Sequence, residues 1–169
     1  FCFPEWEQVM FGLKKKSKIV ELYSPVKGKI VRLSEVPDPV FAQEMMGPGI
    51  AFLPCEGKIY APCDGELVTI FPTKHAIGIK AGNGAEILLH VGIDTVQLNG
   101  ECFILKVQQG QKVHKGDLLL EVDMDEIQKR GFHMETPMII TNSQEYTVTV
   151  NDLEDAKIEG EPVLFVEKK

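Results

Sequence analysis

The chain has 169 residues, 44% of them hydrophobic, with a formal net charge of -7 and a pI near 5.1. That length suits one domain with a full core and not two, and the acidic balance argues against nucleic-acid binding while favouring a basic protein partner. No apolar run approaches the roughly 18 residues of a membrane-spanning helix, and Cys2, Cys55, Cys63 and Cys102 lack C-x-x-C spacing, which points to reduced thiols in a cytoplasmic protein, with a Cys55–Cys63 bridge as the alternative.

Residues 1–16 stand apart as a tail or linker, with residues 17–169 forming the domain. Phe3, Trp6, Met10 and Leu13 recur at helical spacing, and Lys14, Lys15, Lys16 and Lys18 follow. An apolar stripe ahead of a basic cluster suits an anionic membrane surface; the plainer reading is a segment that packs nowhere. Met10-Phe11-Gly12-Leu13-Lys14 looks like a natural start, so residues 1–9 read as an interdomain linker or upstream extension.

From Ile19 onward short apolar runs at 29–33, 49–53, 58–61 and 66–71 are punctuated by Pro and Gly, the spacing of a sandwich or barrel. Residues 25–31 match residues 62–68 at an offset of 37, which predicts two related β-units packed face to face. Asp38 and Pro39 open a helical segment over 40–46 as N-cap and first residue.

Two histidines then fall on one predicted hairpin. Ile87, Leu89 and Val91 alternate with Glu86, Leu88 and His90, and His75 groups with Ile77 and Ile79. The turn signal is Gly82-Asn83-Gly84. A two-residue loop at Gly82-Asn83 sets His75 opposite His90, and one at Asn83-Gly84 makes them diagonal neighbours; only an odd loop parts them. On that face Ile77, Ile79 and Leu88 are expected to surround the two rings, which are close enough to address one small anion or one metal.

A second short helix follows Asp123, with Asp125 and Glu126 in its first turn, Lys129 and Arg130 in its last, and Gly131 ending it. Strands resume at 137–141, 146–150 and 162–167. The expected fold is all-β, an antiparallel β-sandwich or barrel-sandwich hybrid with short helical turns.

Residues 110–118 contain the G-x-x-V-x-x-G-D pattern that recurs in biotinyl and lipoyl carrier domains, without the lysine tripeptide those carriers need. The pattern bears on fold alone, and His114 and His133 read as solvated turn residues.

A family resemblance rests on Val36-Pro37-Asp38, Phe41, Ala61-Pro62 with Gly65, Phe71, Thr73-Lys74-His75-Ala76, the unbroken block from Glu86 to Val96, and Thr136-Pro137. These residues resemble the glucose-type enzyme IIA of the bacterial phosphoenolpyruvate:sugar phosphotransferase system. The resemblance implies that His90 takes a phosphoryl group on Nε2 from the phosphocarrier HPr and passes it to a cysteine of a IIB domain. It further implies that His75 stabilises the phosphate, that Thr73 orients His75, and that the Gly92 carbonyl holds the other nitrogen of His90. Asp38 and Asp94 correspond to an acidic pair flanking the site, and Val40, Phe41, Met45, Phe71 and Val96 to an apolar collar where partners dock. Pro39 and Met45-Met46 depart from the valine and isoleucine expected there. No cofactor or metal is implied, and no P-loop pattern is present.

Two rival classes are a zinc hydrolase of the lysostaphin type, for which the H-x-H pair and third ligand are missing, and a purely regulatory binding protein controlled by phosphorylation.

Overall fold

The structure, a computed structural model, describes residues 18–169. The predicted membrane-binding stripe and Cys2 lie outside the described residues. Among the described residues fourteen strands run β1 (Ile19–Leu22), β2 (Gly28–Val31), β3 (Gly49–Pro54), β4 (Lys58–Tyr60), β5 (Gly65–Ile70), β6 (Ala76–Ala81), β7 (Glu86–His90), β8 (Phe103–Leu105), β9 (Lys112–Val113), β10 (Leu118–Val122), β11 (Thr136–Ile140), β12 (Tyr146–Val150), β13 (Asp155–Ala156) and β14 (Leu164–Lys168). The helices are α1 (Pro39–Ala42) and α2 (Met124–Lys129).

An eight-stranded sheet runs β13-β2-β3-β11-β7-β6-β5-β9, flanked by three-stranded sheets β1-β14-β12 and β4-β10-β8. Strand pairings among the described residues are antiparallel, as expected of the sandwich. Alternation divides the apolar side chains of the central strands between two clusters. Ile77, Ile79, Ile87, Leu89, Met138 and Ile140 enter the main core, while Ala76, Leu88 and Ile139 turn the other way to meet Val36, Phe41 and Ile93. Each fully buried Ile or Leu contributes about 1.5–3 kcal/mol, so reversing this parity would move several such side chains to the wrong face.

Both helices form where their caps were expected. The Asp38 carboxylate accepts from the Val40 N–H and Pro39 occupies the first turn; the Asp123 carboxylate accepts from the Glu126 N–H. Helix α1 nevertheless ends at Ala42 rather than Met46, because Glu44 adopts a left-handed φ of 56° and breaks the helical path. Cys55, Cys63 and Cys102 are free thiols, so no Cys55–Cys63 bridge forms.

The two repeats fall within one hydrogen-bonded sheet: β2 and β5 lie in the same eight-stranded sheet, each next to one end. The repeats meet through reciprocal backbone bonds, Tyr23 N–H to Pro62 O at 2.9 Å and Tyr60 N–H to Pro25 O at 2.7 Å. The β6–β7 hairpin, for its part, has an odd loop. Ala76 faces His90 and Lys80 faces Glu86. Gly82-Asn83-Gly84 is a three-residue loop in which the Gly84 N–H donates to Ala81 O and Gly84 takes φ of 91°, the turn-plus-bulge geometry of such loops. Ile77 and Ile79 therefore belong to the main core, and of the three apolar residues expected around the histidines only Leu88 shares the face of His90.

Candidate functional site

His90 ends β7, and its orientation follows from the turn after it. Gly92 has φ of 77°, and this left-handed residue presents its carbonyl to His90 Nδ1 at 2.8 Å. A carbonyl only accepts, so Nδ1 carries the proton and Nε2 keeps a free lone pair. A Cβ on Gly92 would fall 2.6 Å from Thr95 Cγ2 and 3.2 Å from the His133 carbonyl, so the position is closed to larger residues by space as well as by φ. Thr95, fully buried, donates its hydroxyl to Val91 O, and the Ile93 N–H donates to His133 O at 2.9 Å. Neither tie of this turn was anticipated. Thr95 carried a signal in its place just after Asp94, whereas the His133 carbonyl, a main-chain group distant in sequence, carried none.

His75 reaches the same place by a different route. Strand parity assigns it to the face opposite His90, yet the ring centroids lie 4.9 Å apart, edge to face. The reason is that His75 lies just outside β6 and follows Lys74, whose φ is 62°. The left-handed residue swings the chain off the pleat, while the His75 carbonyl still accepts from the Val91 N–H at 2.7 Å. Such a conformation at a lysine costs energy that the surrounding contacts must hold. Thr73 Oγ1 lies 2.7 Å from His75 Nδ1. Only 3% of His75 is exposed.

Both rings are poised to stay neutral near pH 7. Burial pushes His75 down to about 4, with a smaller contribution from the facing His90. Burial also lowers His90, against the opposing pull of the Gly92 bond and of the carboxylates of Asp38 and Asp94. The acidic pair is therefore close enough for its charge to be felt at His90. Asp94 itself has φ of 60°, so left-handed residues at 74, 92 and 94 bracket the two histidines.

The apolar collar divides. Val40, Met45, Phe71 and Val96 expose 37%, 68%, 37% and 47% of their surface, suiting them to contact a partner. Phe41 is 4% exposed and packs its ring against His90 with centroids 4.8 Å apart, so it supports the histidine from below rather than offering a surface. Phe71 lies edge-on to His75 at 5.5 Å. His114 and His133 are exposed, as expected of turn residues, and three or more His, Cys, Asp or Glu side chains do not converge anywhere among the described residues to hold a metal. Among the described residues no helix is long and apolar enough to cross a membrane.

A family model described as phosphoenolpyruvate-dependent sugar phosphotransferase system, EIIA 1, matches residues 20–146. The chain is similar to a protein named PTS system glucose-specific EIICBA component from Staphylococcus saprophyticus, 46% identical over 155 residues, which cover 92% of this chain and 23% of that one. It is 53% identical over 133 residues to the glucosamine-specific EIICBA component of Bacillus subtilis, covering 79% and 21% respectively. The chain thus spans less than a quarter of the length of these two curated relatives. The solved glucose permease IIA from Mycoplasma capricolum superposes with a TM-score of 0.81 at 40% identity, covering 88% of this chain and 96% of that one.

Proposed function

The chain belongs to the EIIA 1 family of the phosphoenolpyruvate-dependent sugar phosphotransferase system, and from that premise we propose that it carries a phosphoryl group between two protein partners on His90. The observation that carries this reading is the bond from His90 Nδ1 to the Gly92 carbonyl at 2.8 Å, since it leaves Nε2 with the lone pair a nucleophile needs. In the first transfer that lone pair forms a bond to phosphorus as the bond to phospho-HPr breaks. In the second, a IIB cysteine thiolate attacks the same phosphorus and the electron pair returns to Nε2.

Charge spreads over the three phosphoryl oxygens in such a transfer, so catalysis is chiefly positioning and donated hydrogen bonds. His75 supplies one donor. With the Thr73 hydroxyl donating to His75 Nδ1, the neutral ring carries its proton on Nε2, facing the group held by His90. Asp38 and Asp94 act in the opposite sense: their charges oppose a bound phosphate and keep the phosphohistidine easily discharged. Basic groups on HPr or the IIB domain then relieve that repulsion on docking. Val40, Met45, Phe71 and Val96 form the dry rim of the contact, with Phe41 beneath it.

The same reading places residues 17–169 as one EIIA domain working in the cytoplasm, with no cofactor. On that reading residues 1–16 are a tail or linker, and their lysines suit an anionic membrane surface. Incubation with phosphoenolpyruvate, enzyme I and HPr tests the proposal: one acid-labile phosphate per chain is expected, discharged on adding a IIB domain, and its absence would refute the carrier role.

A further inference from the structure

The repeat at residues 25–31 and 62–68 extends backwards to Tyr23 and Tyr60, which are related by the same offset and joined by the reciprocal bonds to Pro62 and Pro25. This local pseudo-two-fold creates two clefts of nearly equal size, about 510 Å³ beside Tyr23 and about 520 Å³ beside Tyr60. Each tyrosine faces the loop residue of the other repeat: Asp64 lines the Tyr23 cleft and Lys27 the Tyr60 cleft. Those two loop residues are repeat equivalents of opposite charge, and Lys115 lines both clefts.

The charged groups of the Tyr23 cleft find partners within it. Glu21 accepts from the Tyr23 hydroxyl at 2.9 Å, the Asp64 carboxylate accepts from the Lys115 N–H at 2.8 Å, and the Lys115 ammonium sits 3.8 Å above the Tyr23 ring. The Tyr60 cleft differs. Lys27 and Lys157 line it against one carboxylate, Glu159, while the Lys115 ammonium lies over the Tyr23 ring, and no ion pair among the described residues includes Lys27 or Lys157. On a chain of net charge -7, this cleft sets two lysines against one carboxylate, an excess of positive charge that an external anion would balance.

We propose that the Tyr60 cleft binds the phosphate of a small soluble phosphomonoester, with sugar phosphates as the fitting class. A phosphomonoester carries close to two negative charges, which the ammonium groups of Lys27 and Lys157 match. The Tyr60 ring offers a flat apolar wall for the sugar, and Glu159 is an acceptor for its hydroxyls. The site lies away from His90. The amide of Lys115 is bound to Asp64, beside the end of β5 where Gly65 pairs with Ala81, whereas the histidines lie beyond the other end, where Ile70 pairs with Ile77. That strand alone spans roughly 17 Å.

The test is an NMR titration of the isotope-labelled protein with glucose-6-phosphate, inorganic phosphate and glucose, following the amides of Lys27, Tyr60, Gly116 and Lys157. Saturable shifts are expected with glucose-6-phosphate, weaker shifts at the same amides with inorganic phosphate, and none with glucose. Lys27→Asp gives the cleft the charge of its twin and should weaken binding at least about tenfold, while Lys27→Arg preserves it. Lys27 is exposed, so these variants should fold and accept phosphoryl groups as the unaltered protein does. Absence of saturable shifts, or shifts indifferent to Lys27→Asp, would overturn the proposal. So would Lys27-dependent sedimentation with vesicles of phosphatidylcholine and phosphatidylglycerol that glucose-6-phosphate fails to reverse, since the phosphate recognised would then be a lipid headgroup.

Discussion

The β6–β7 hairpin has two ends built on opposite plans. Its loop is tied down from several sides: the Asn83 side-chain amide donates to Lys18 O and Val166 O, both at 3.0 Å, and its oxygen accepts from the Ala85 N–H at 3.1 Å. The Tyr146 hydroxyl donates to Asn83 O and the Asn142 amide to Gly84 O. At the other end the chain departs from regular geometry at Lys74, Gly92 and Asp94, and two neutral imidazoles face each other. The loop end holds the register, and the open end uses that fixed register to aim its side chains. Stability and chemistry should therefore respond to substitution at different ends.

The largest effect should come from the open end. His90→Gln is expected to abolish phosphate uptake from phospho-HPr altogether, read as acid-labile phosphate per chain, with the fold unchanged by circular dichroism. Next, His75→Gln should keep uptake measurable, since Gln retains a donor, but lower a transfer rate on the order of 10² to 10³, with discharge to IIB suffering more. Uptake by His90→Gln coupled with its loss in His75→Gln would assign the nucleophile to the wrong strand.

Asn83→Ala reverses the comparison. It leaves buried main-chain groups without partners, each costing about 1–3 kcal/mol, so denaturant unfolding should show a loss of several kcal/mol while single-turnover transfer by the folded protein stays near normal. A large transfer defect in that variant would mean that the two ends are not separable. The smallest effect is on pH. His75 titrates at about 4 in the folded chain against about 6.5 when unfolded, so between those values the unfolded chain binds more protons and stability falls as pH falls. This stabilisation is complete above about pH 6.5 and is lost progressively toward pH 4, by at most on the order of 3 kcal/mol. Unfolding followed across that window should show a shallower slope in His75→Gln, the remainder belonging to His90.

What the sequence revealed and concealed divides along the same line. Alternation in residues 86–91 assigns Ile87 and Leu89 to the core correctly, because it depends only on the pleat. The parity of the partner strand does not, because Gly-Asn-Gly is compatible with loops of two or three residues, and one added residue reverses every side chain on the facing strand. The histidines still meet because Lys74 is left-handed, a conformation that a lysine does not advertise in sequence. The shortened α1 has the same cause at Glu44. Caps were legible at Asp38 and Asp123, where a side-chain acceptor and its amide are two or three residues apart. The burial of Phe41 was not, since only the packed sheet shows that its ring lies against His90. The repeat was visible, but similarity alone does not say that both copies belong to one hydrogen-bonded sheet.

The account stands most directly on which nitrogen takes the phosphoryl group, and phosphorus–nitrogen couplings in the NMR spectrum of the phosphorylated, isotope-labelled protein report it. Phosphorus bonded to Nε2 of His90, with Nδ1 still protonated toward Gly92, is the expected result. Phosphorus on Nδ1 of His90, or on either nitrogen of His75, would contradict it.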